Sequence, residues 1–416
     1  MTATAQSALS SEVERLAALG PASLGERRRA ALDAYLSAPL PARAAHLWRY
    51  TDPARLLPGD LRPFTPARAP AERAKEGLRF ADLATALEGK PVREAFGALS
   101  NERTGKFEAL NLALFSGGTL IEVAPGARPP TVQALHGRGS NGDQDAGSVA
   151  CPRLLVLVGE GAEASIVEEF GGNGWGPGLV HAVTEIHLAP GARLVHTVVN
   201  TFGDRVRAHL VQRARLGAGA SLTSISVGLG GEVVKVDASA VLAGEHARSE
   251  VLGLSFGTGR KHLDSHFFQD HAAPRTHSDL LVKAALSGRA RASYTGQLRI
   301  AVDAPGSEAH QENRNLLLSE QSRADSIPEL EILTHEVQCS HAAATGPVDP
   351  NQVFYLRSRG FTRAEAERSI VLGFLEPVLA RVPGAELGER LRALAAGRLG
   401  SGADLSPFMA AAYGVE

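Results

Sequence analysis

The sequence is poor in cysteine. Only two of its 416 residues are cysteines, Cys151 and Cys339. A small secreted domain that is held together by disulfides carries several cysteines, so this composition excludes a disulfide framework and indicates a reducing compartment.

Aromatic residues and net charge are also scarce. Aromatics make up 5% of the chain, and the formal net charge is -2 although 21% of the residues are charged. Few aromatics argue against a platform for stacking bases. A nearly neutral chain creates no global field that attracts nucleic acid or an anionic membrane. We therefore expect neither a nucleic-acid partner nor a membrane partner.

Long apolar runs are missing as well. Runs such as LLVLV at 154–158 fall far short of the ~18 residues that cross a bilayer. The N-terminus has neither the basic segment nor the apolar segment of a secretory signal. No GxxxxGK(S/T) sequence occurs, so we expect that the chain does not itself bind nucleotide as a P-loop ATPase. Together these features predict a cytoplasmic protein.

Glycine, in contrast, is abundant, with 44 residues. Small-residue turns recur between short apolar runs at 123, 158, 188, 216, 242 and 286, as VAPGAR, VGEGAE, LAPGAR, LGAGAS, LAGEHA and LSGRAR. A period of roughly 20–50 residues is typical of solenoids and propellers. We predict a right-handed parallel β-helix over 112–345, in which each unit pairs two strands around a glycine corner; a β-sandwich with short turns is the alternative.

The two ends of the chain carry helical patterns. Residues 1–111 are predicted to form a mostly helical domain in which SSEVERLAAL starts a helix at Ser10 or Ser11 and FADLATAL forms another. Residues 346–416 are predicted to form a small helical domain, because Asp349 is a good N-cap and Thr362 with Glu365 forms a capping box. Its broad apolar side needs the solenoid or another protein to cover it.

The pair Cys339 and His341 is the strongest candidate for chemistry. If residues 329–341 form one strand, Leu333, His335 and Val337 share a face with this pair. Thiolate and imidazole suit iron, zinc or iron–sulfur chemistry, but two ligands do not complete a closed site. The alternative is structural, since a lone cysteine is commonly a small core residue.

Two further groups are weaker candidates. His262, His266, His271 and His277 cluster in RKHLDSHFFQDHAAPRTH, where the first two share a strand face and His271 does not; we expect solvent-facing histidines rather than a metal site. Glu329 and Glu331 also share a strand face and could form an acid/base pair, although a solvated strand face is the simpler interpretation.

The segment ELEILTHEVQCSHAAATGPVDPNQVFYLRSRG closely resembles the signature of the SufB/SufD family of iron–sulfur cluster assembly proteins. LWRYTDPARLL at 47–57, LNLALFSGG at 110–118 and HQENRNLLLS at 310–319 agree in order and spacing. The chain resembles SufD more than SufB because of its length, its FYLRSRG sequence, and the absence of cysteine from HQENRNLLLS. Ala342 stands where relatives often have glycine, which could restrict the backbone after His341.

The resemblance implies a parallel β-helix between helical domains and a heterodimer with a SufB-like chain, with a SufC-like ATPase docked on the helical domain and sulfur-donor proteins as further partners. It implies a transient iron–sulfur cluster at the heterodimer interface, with His341 as the favoured ligand and Cys339 as a less secure one. No cofactor is expected to stay bound to this chain alone. The residues assigned to partner binding are Phe354, Tyr355, Arg357, Arg359 and Phe374.

The predicted function is therefore a scaffold subunit without catalytic residues. Two alternatives are an adaptor for an ABC-type ATPase in which neither Cys339 nor His341 is a ligand, and a β-helix polysaccharide lyase or hydrolase that uses Glu329 and Glu331.

Overall fold

A computed structural model describes residues 3–59, 62–63, 73–116, 118–136, 148–171 and 178–399. Its centre is a parallel β-solenoid in which each coil gives one strand to each of two facing sheets. The fourteen strands β7 to β20 make seven coils. This confirms the predicted solenoid with flanking helices, and it excludes the β-sandwich because the strands β7 to β20 pair with their neighbours in each sheet in parallel.

The first sheet, sheet A, has strands in the spatial order β19-β17-β15-β13-β11-β9-β7-β4-β3-β2, with β1 and β6 beside β9. Its strands are β1 (Arg62–Pro63), β2 (Arg73–Lys75), β3 (Leu78–Asp82), β4 (Thr119–Val123), β6 (Ser148–Ala150), β7 (Arg153–Val158), β9 (Gly178–Leu188), β11 (Val206–Leu216), β13 (Val233–Leu242), β15 (His262–His271), β17 (Arg291–Ile300) and β19 (Arg323–Ile332).

The second sheet, sheet B, has the order β20-β18-β16-β14-β12-β10-β8-β5. Its strands are β5 (Val132–His136), β8 (Glu163–Phe170), β10 (Arg193–Asn200), β12 (Ser221–Gly228), β14 (Arg248–Gly257), β16 (His277–Leu286), β18 (Ser307–Leu317) and β20 (Val337–Pro347).

The corners that lead from sheet A to sheet B repeat one backbone conformation. In seven of these eight corners one residue has a positive φ, and its N–H donates to a carbonyl of the next corner, as Gly191 does to Ala218. Glycine is predicted there because it adopts this conformation without strain. It is found at the first four corners and the seventh, His246 and Arg275 fill the fifth and sixth, and the eighth corner, residues 333–336, has no residue with a positive φ. LSGRAR lies instead at a corner from sheet B to sheet A, which explains its irregular spacing.

Helices flank the solenoid at both ends of the chain. The N-terminal ones are α1 (Ala3–Ala17), α2 (Ala22–Ser37), two 3₁₀ helices (His46–Trp48 and Pro53–Leu56), α3 (Leu83–Ala86), α4 (Lys90–Ala95) and α5 (Lys106–Leu114). Helix α1 begins before Ser10 and Ser11, so the prediction that either caps it is wrong; the Ser10 hydroxyl donates to the Gln6 carbonyl inside the helix. FADLATAL is divided between β3 and α3 because Asp82 caps the short helix there.

The C-terminal helices are α6 (Pro350–Ser358), α7 (Arg363–Leu379) and α8 (Ala385–Arg398). The predicted caps are confirmed: the Asp349 carboxylate accepts from the Asn351 N–H, and Thr362 and Glu365 form a capping box. The apolar side of α7 packs on the outer face of sheet B, where Val371, Leu375 and Val378 join the strand residues in one buried cluster. The solenoid therefore covers the face that the sequence left without a partner.

The interior between the sheets is mostly aliphatic, and a group of polar side chains interacts within it. The Glu168 carboxylate of β8 accepts from His136 (2.9 Å) and from the Thr184 hydroxyl (2.9 Å), and the His196 Nε2 atom lies 3.2 Å away. Burial raises the pKa of Glu168, but the hydrogen bonds and charges of the two imidazoles outweigh it and lower the pKa to about 2. His196 and Gln212 continue this network across the interior.

Candidate functional site

The last coil, strands β19 and β20, differs from the coils before it because no further coil of the solenoid stacks on it. Each strand bonds to one neighbour, β19 to β17 and β20 to β18. No residue of β19 or β20 is fully buried, whereas nearly every residue of β9 is. Both outer edges therefore present unpaired backbone groups, which is how a sheet accepts a strand from another chain.

Residues 329–341 do not form one strand, so that prediction is wrong. Strand β19 ends at Ile332, residues 333–336 turn the corner, and β20 starts at Val337. The corner keeps the hydrogen bonds of the earlier ones, since the Leu333 N–H donates to Ile300 and the Gly306 N–H to Glu336, but none of its residues has a positive φ. LTHE contains neither glycine nor proline, so the local sequence carries no turn signal.

Cys339 and His341 do share a face, as predicted. They are two residues apart in β20, and they pair in register with Ala309 and Gln311, which lie on the inward side of β18. Cys339 is half-buried against the interior cluster that includes Tyr294 and Ala309. His341 is exposed at the open end of the solenoid.

The two candidate ligands differ in how readily each side chain can bind a metal. Burial raises the pKa of the Cys339 thiol, and a protonated thiol is a poor metal ligand. His341 lies in the open, where its imidazole can meet a ligand or a second chain. Among the described residues, no three or more histidine, cysteine, aspartate or glutamate side chains gather as a metal site, so this pair reaches no third such ligand within that part of the chain.

The backbone after His341 does not need glycine. Ala342 lies inside β20 and is not among the residues with positive φ. The concern that alanine restricts this position therefore finds no support in the backbone conformation.

The clustered histidines do not face solvent as a group, so that expectation is wrong for three of them. His262 and His266 share the outer face of β15, where a segment of the N-terminal region covers them. His271 lies inside the solenoid between the Thr276 and Ser278 hydroxyls, at 2.8 Å from each. His277 alone remains largely accessible, 3.4 Å from Glu308.

The covering segment, residues 46–56, is called the strap. It crosses the outer face of sheet A from the last coil to the first ones. At one end the His46 imidazole lies 2.6 Å from the Glu329 carboxylate, and at the other His181 bonds to the Leu56 carbonyl at 2.9 Å. Between them the Thr51 hydroxyl donates to Asp264. These hydrogen bonds hold the strap on three strands of the solenoid, β9, β15 and β19.

Buried charges lie beneath the strap. Lys235 donates to Asp264 at 3.1 Å and lies 5.2 Å from the centre of the Trp48 ring. Asp237 is buried, which raises its pKa, yet Arg213 and His266 outweigh burial and hold the pKa well below its usual range. Sequence reasoning missed this network, because its members are spread over three strands, β11, β13 and β15, and only the β-register brings them together.

The carboxylates Glu329 and Glu331 each have a basic side chain as a neighbour. Glu329 is bound by His46, and Glu331 lies 3.8 Å from Arg299. A GxSxG sequence at 253–257 lies wholly within β14 rather than at a strand-to-helix turn, so it does not form a nucleophile elbow. These arrangements give no support to a hydrolase.

Helix α6 presents the most exposed aromatic side chains in the part of the chain that the structure describes. Phe354 is 72% exposed and Tyr355 57% exposed. Arg357 and Arg359 are exposed beside them, and the Arg359 guanidinium lies 5.2 Å from the Tyr355 ring centre. Phe374 faces differently: it packs against the buried cluster under α7, and the Lys283 ammonium lies 4.6 Å from its ring centre.

No helix among the described residues is long and apolar enough to cross a membrane.

Comparison with known families matches residues 140–374, more than half of the chain, to the description "SUF system FeS cluster assembly, SufBD core domain".

Similar proteins agree with this match. An iron–sulfur cluster assembly SufBD family protein of Mycobacterium tuberculosis is 37% identical over 255 residues, which cover 59% of this chain and 63% of that protein. A SufBD family protein of Staphylococcus epidermidis is 27% identical over 315 residues, 75% of this chain and 67% of its own length. The chain spans less than two thirds of the mycobacterial relative. By its sequence match and its fold, the chain belongs to the SufBD family of SUF-system iron–sulfur cluster assembly proteins.

Proposed function

We propose that this chain is a SufD-like scaffold subunit on which an iron–sulfur cluster is built together with a second polypeptide. The observation that carries the proposal is the position of His341 on the open last coil of the solenoid. A ligand at an unpaired sheet edge can be shared with another chain. Cys339 and His341 alone are too few ligands to hold a cluster.

The partner at the open end is a SufB-like chain. Strands β19 and β20 offer unpaired edges, and Ile332 and Leu333 at their corner are 41% and 45% exposed. Exposed apolar side chains beside a free edge favour association by strand addition, in which backbone hydrogen bonds supply affinity and side chains supply specificity.

At this interface His341 is the iron ligand supplied by the chain, and the partner supplies thiolates. Imidazole and thiolate together suit iron, as they do in mixed-ligand iron–sulfur centres. Cys339 is the weaker candidate because burial keeps its thiol protonated. The cluster is cargo that leaves the complex, so the chain needs no catalytic group of its own.

A SufC-like ATPase docks on helix α6. Aromatic and arginine side chains dominate binding hot spots, and α6 exposes Phe354, Tyr355, Arg357 and Arg359. The geometry favours these four over Phe374, whose ring already contacts Lys283. Hydrolysis in the ATPase would deform the complex and open or close the cluster site. We place the complex in the cytoplasm, with sulfur-donor proteins as further partners.

The test is anaerobic co-expression of the chain with SufB-like and SufC-like proteins, followed by measurement of complex composition, iron and sulfide. His341→Ala should leave the complex intact and lower its iron and sulfide content about tenfold or more. His335→Ala is the matched control, because that histidine is also exposed in the last coil. Normal cluster content in the His341 variant would refute the ligand assignment.

The same measurements separate the adaptor alternative. If the unmodified complex contains no iron or sulfide while Phe354→Ala releases the ATPase, the chain is an adaptor only. If iron is present and depends on His341, the scaffold function stands.

A further inference from the structure

A polar bridge lies beneath the last coil and joins the two sheets. Gln311 of β18 is fully buried. Its Oε1 atom accepts from the Tyr294 hydroxyl of β17 at 2.9 Å, and its Nε2 atom donates to the Glu329 carbonyl of β19 at 3.2 Å. One side chain thus ties sheet B to two strands of sheet A, including the last one.

The space for this bridge is provided by Gly296. A Cβ atom there would collide with both the Tyr294 hydroxyl and Gln311 Oε1. Burial raises the pKa of the Tyr294 phenol, so it remains a neutral donor. Because the phenol hydrogen must point to the amide oxygen, the amide is oriented with its nitrogen toward β19.

The β-register places this bridge next to the proposed ligand. Gln311 is the residue of β18 that pairs with His341 of β20. Side chains paired on adjacent strands share one face and are nearest neighbours. His341 therefore lies beside an amide that can neither titrate nor turn freely, and this amide also holds the opposite strand of the last coil through Glu329.

We propose that Gln311 is a positioning residue for His341. It fixes the spacing of β19 and β20 at the open end, so that the imidazole is presented to the partner chain in one orientation. The effect on cluster assembly rests on the proposed function. The orientation of the His341 imidazole does not, because it is a property of the isolated chain.

The experiment combines two measurements on Gln311→Leu, Tyr294→Phe and a control, Gln297→Leu. Gln297 is half-buried and lies on the opposite face of β17 from Tyr294; it pairs in register with Glu329, so this variant changes the same strand pair without removing a group of the bridge. Histidine labelled with ¹³C gives one imidazole signal for each of the 14 histidines, and the His341 signal is assigned by its loss in His341→Ala. Cluster content and partner affinity are then measured in the co-expressed complex.

We expect both bridge variants to move the His341 signal and Gln297→Leu to leave it in place. In the complex, Gln311→Leu should lower cluster content about fivefold or more, while partner affinity should change less than about threefold. The reason is that cluster formation depends on the exact position of the ligand more strongly than binding of the partner does. Tyr294→Phe removes only the hydroxyl, so it gives the answer if Gln311→Leu does not fold.

An unmoved His341 signal in the folded bridge variants would overturn the proposal, as would a moved signal with normal cluster content. If His341→Ala assembles clusters normally, the ligand assignment fails, and the NMR result still shows whether the bridge orients this imidazole.

Discussion

The interior coils and the last coil are built from the same repeat but differ in the number of neighbouring strands to which each strand is bonded. In the interior, a strand is bonded on both sides, as β17 is to β15 and β19. In the last coil the same geometry leaves β19 and β20 with one neighbour each. The difference teaches that position along the solenoid, rather than the repeat itself, decides which strands are bonded on both sides and which keep a free edge.

The largest expected effect is in the first coils. Arg153 and Glu185 form an ion pair at 2.6 Å with both side chains fully buried, and Glu185 also accepts from the Gly97 and Ser100 N–H groups. Arg153→Leu leaves a buried carboxylate without its cation, so we expect a loss of about 3–5 kcal/mol in unfolding free energy. Urea denaturation measures it, and a smaller loss when both residues are replaced by apolar ones would confirm the cause.

A matched pair of leucines sharpens the comparison directly. Leu298 of β17 and Leu330 of β19 are partners in register on the inward side, but Leu298 is 1% exposed and Leu330 is half-buried. We expect Leu298→Ala to cost about 3 kcal/mol and Leu330→Ala about 1 kcal/mol, because the cavity term needs surrounding atoms. Equal losses would mean that the last coil is as tightly packed as the interior.

Acid should weaken the interior before it affects the last coil. The folded-state pKa of Glu168 is about 2, below its ordinary value of 4.5, so its stabilisation is complete above pH 4.5 and is lost as the pH falls toward 2. We expect the unmodified chain to lose on the order of 2–3 kcal/mol more than Glu168→Gln across this window. Denaturation curves at several pH values test this; parallel curves for the two proteins would contradict it.

The smallest effect is expected at the strap. The His46–Glu329 pair is 39% and 37% exposed, and exposed pairs contribute about 0–1 kcal/mol. Glu329→Gln should barely change the midpoint of unfolding, yet speed hydrogen exchange in β19. Glu331→Gln serves as the control, because Glu331 lies on the same face without touching the strap. Equal exchange in both variants would show that the strap does not hold β19.

Sequence patterns predicted the solenoid because most of its corners contain glycine. The turn LAGEHA at 242 was recognised although His246 holds the left-handed position, whereas the next corner, at Arg275, contains no glycine and was missed. That Cys339 and His341 share a strand face was predictable from their spacing. The bridge from Tyr294 to Gln311 was not, since its partners are 17 residues apart and meet only across the interior.

The strap has a consequence for how the chain folds. Coils of a solenoid can form one after another, because each contacts mainly its neighbours. The strap cannot, since His46 and Glu329 are separated by 283 residues, and contacts of such separation close late. The N-terminal segment emerges first during synthesis, yet it completes its docking only when the last coil exists. Final closure of the strap thus marks a finished solenoid.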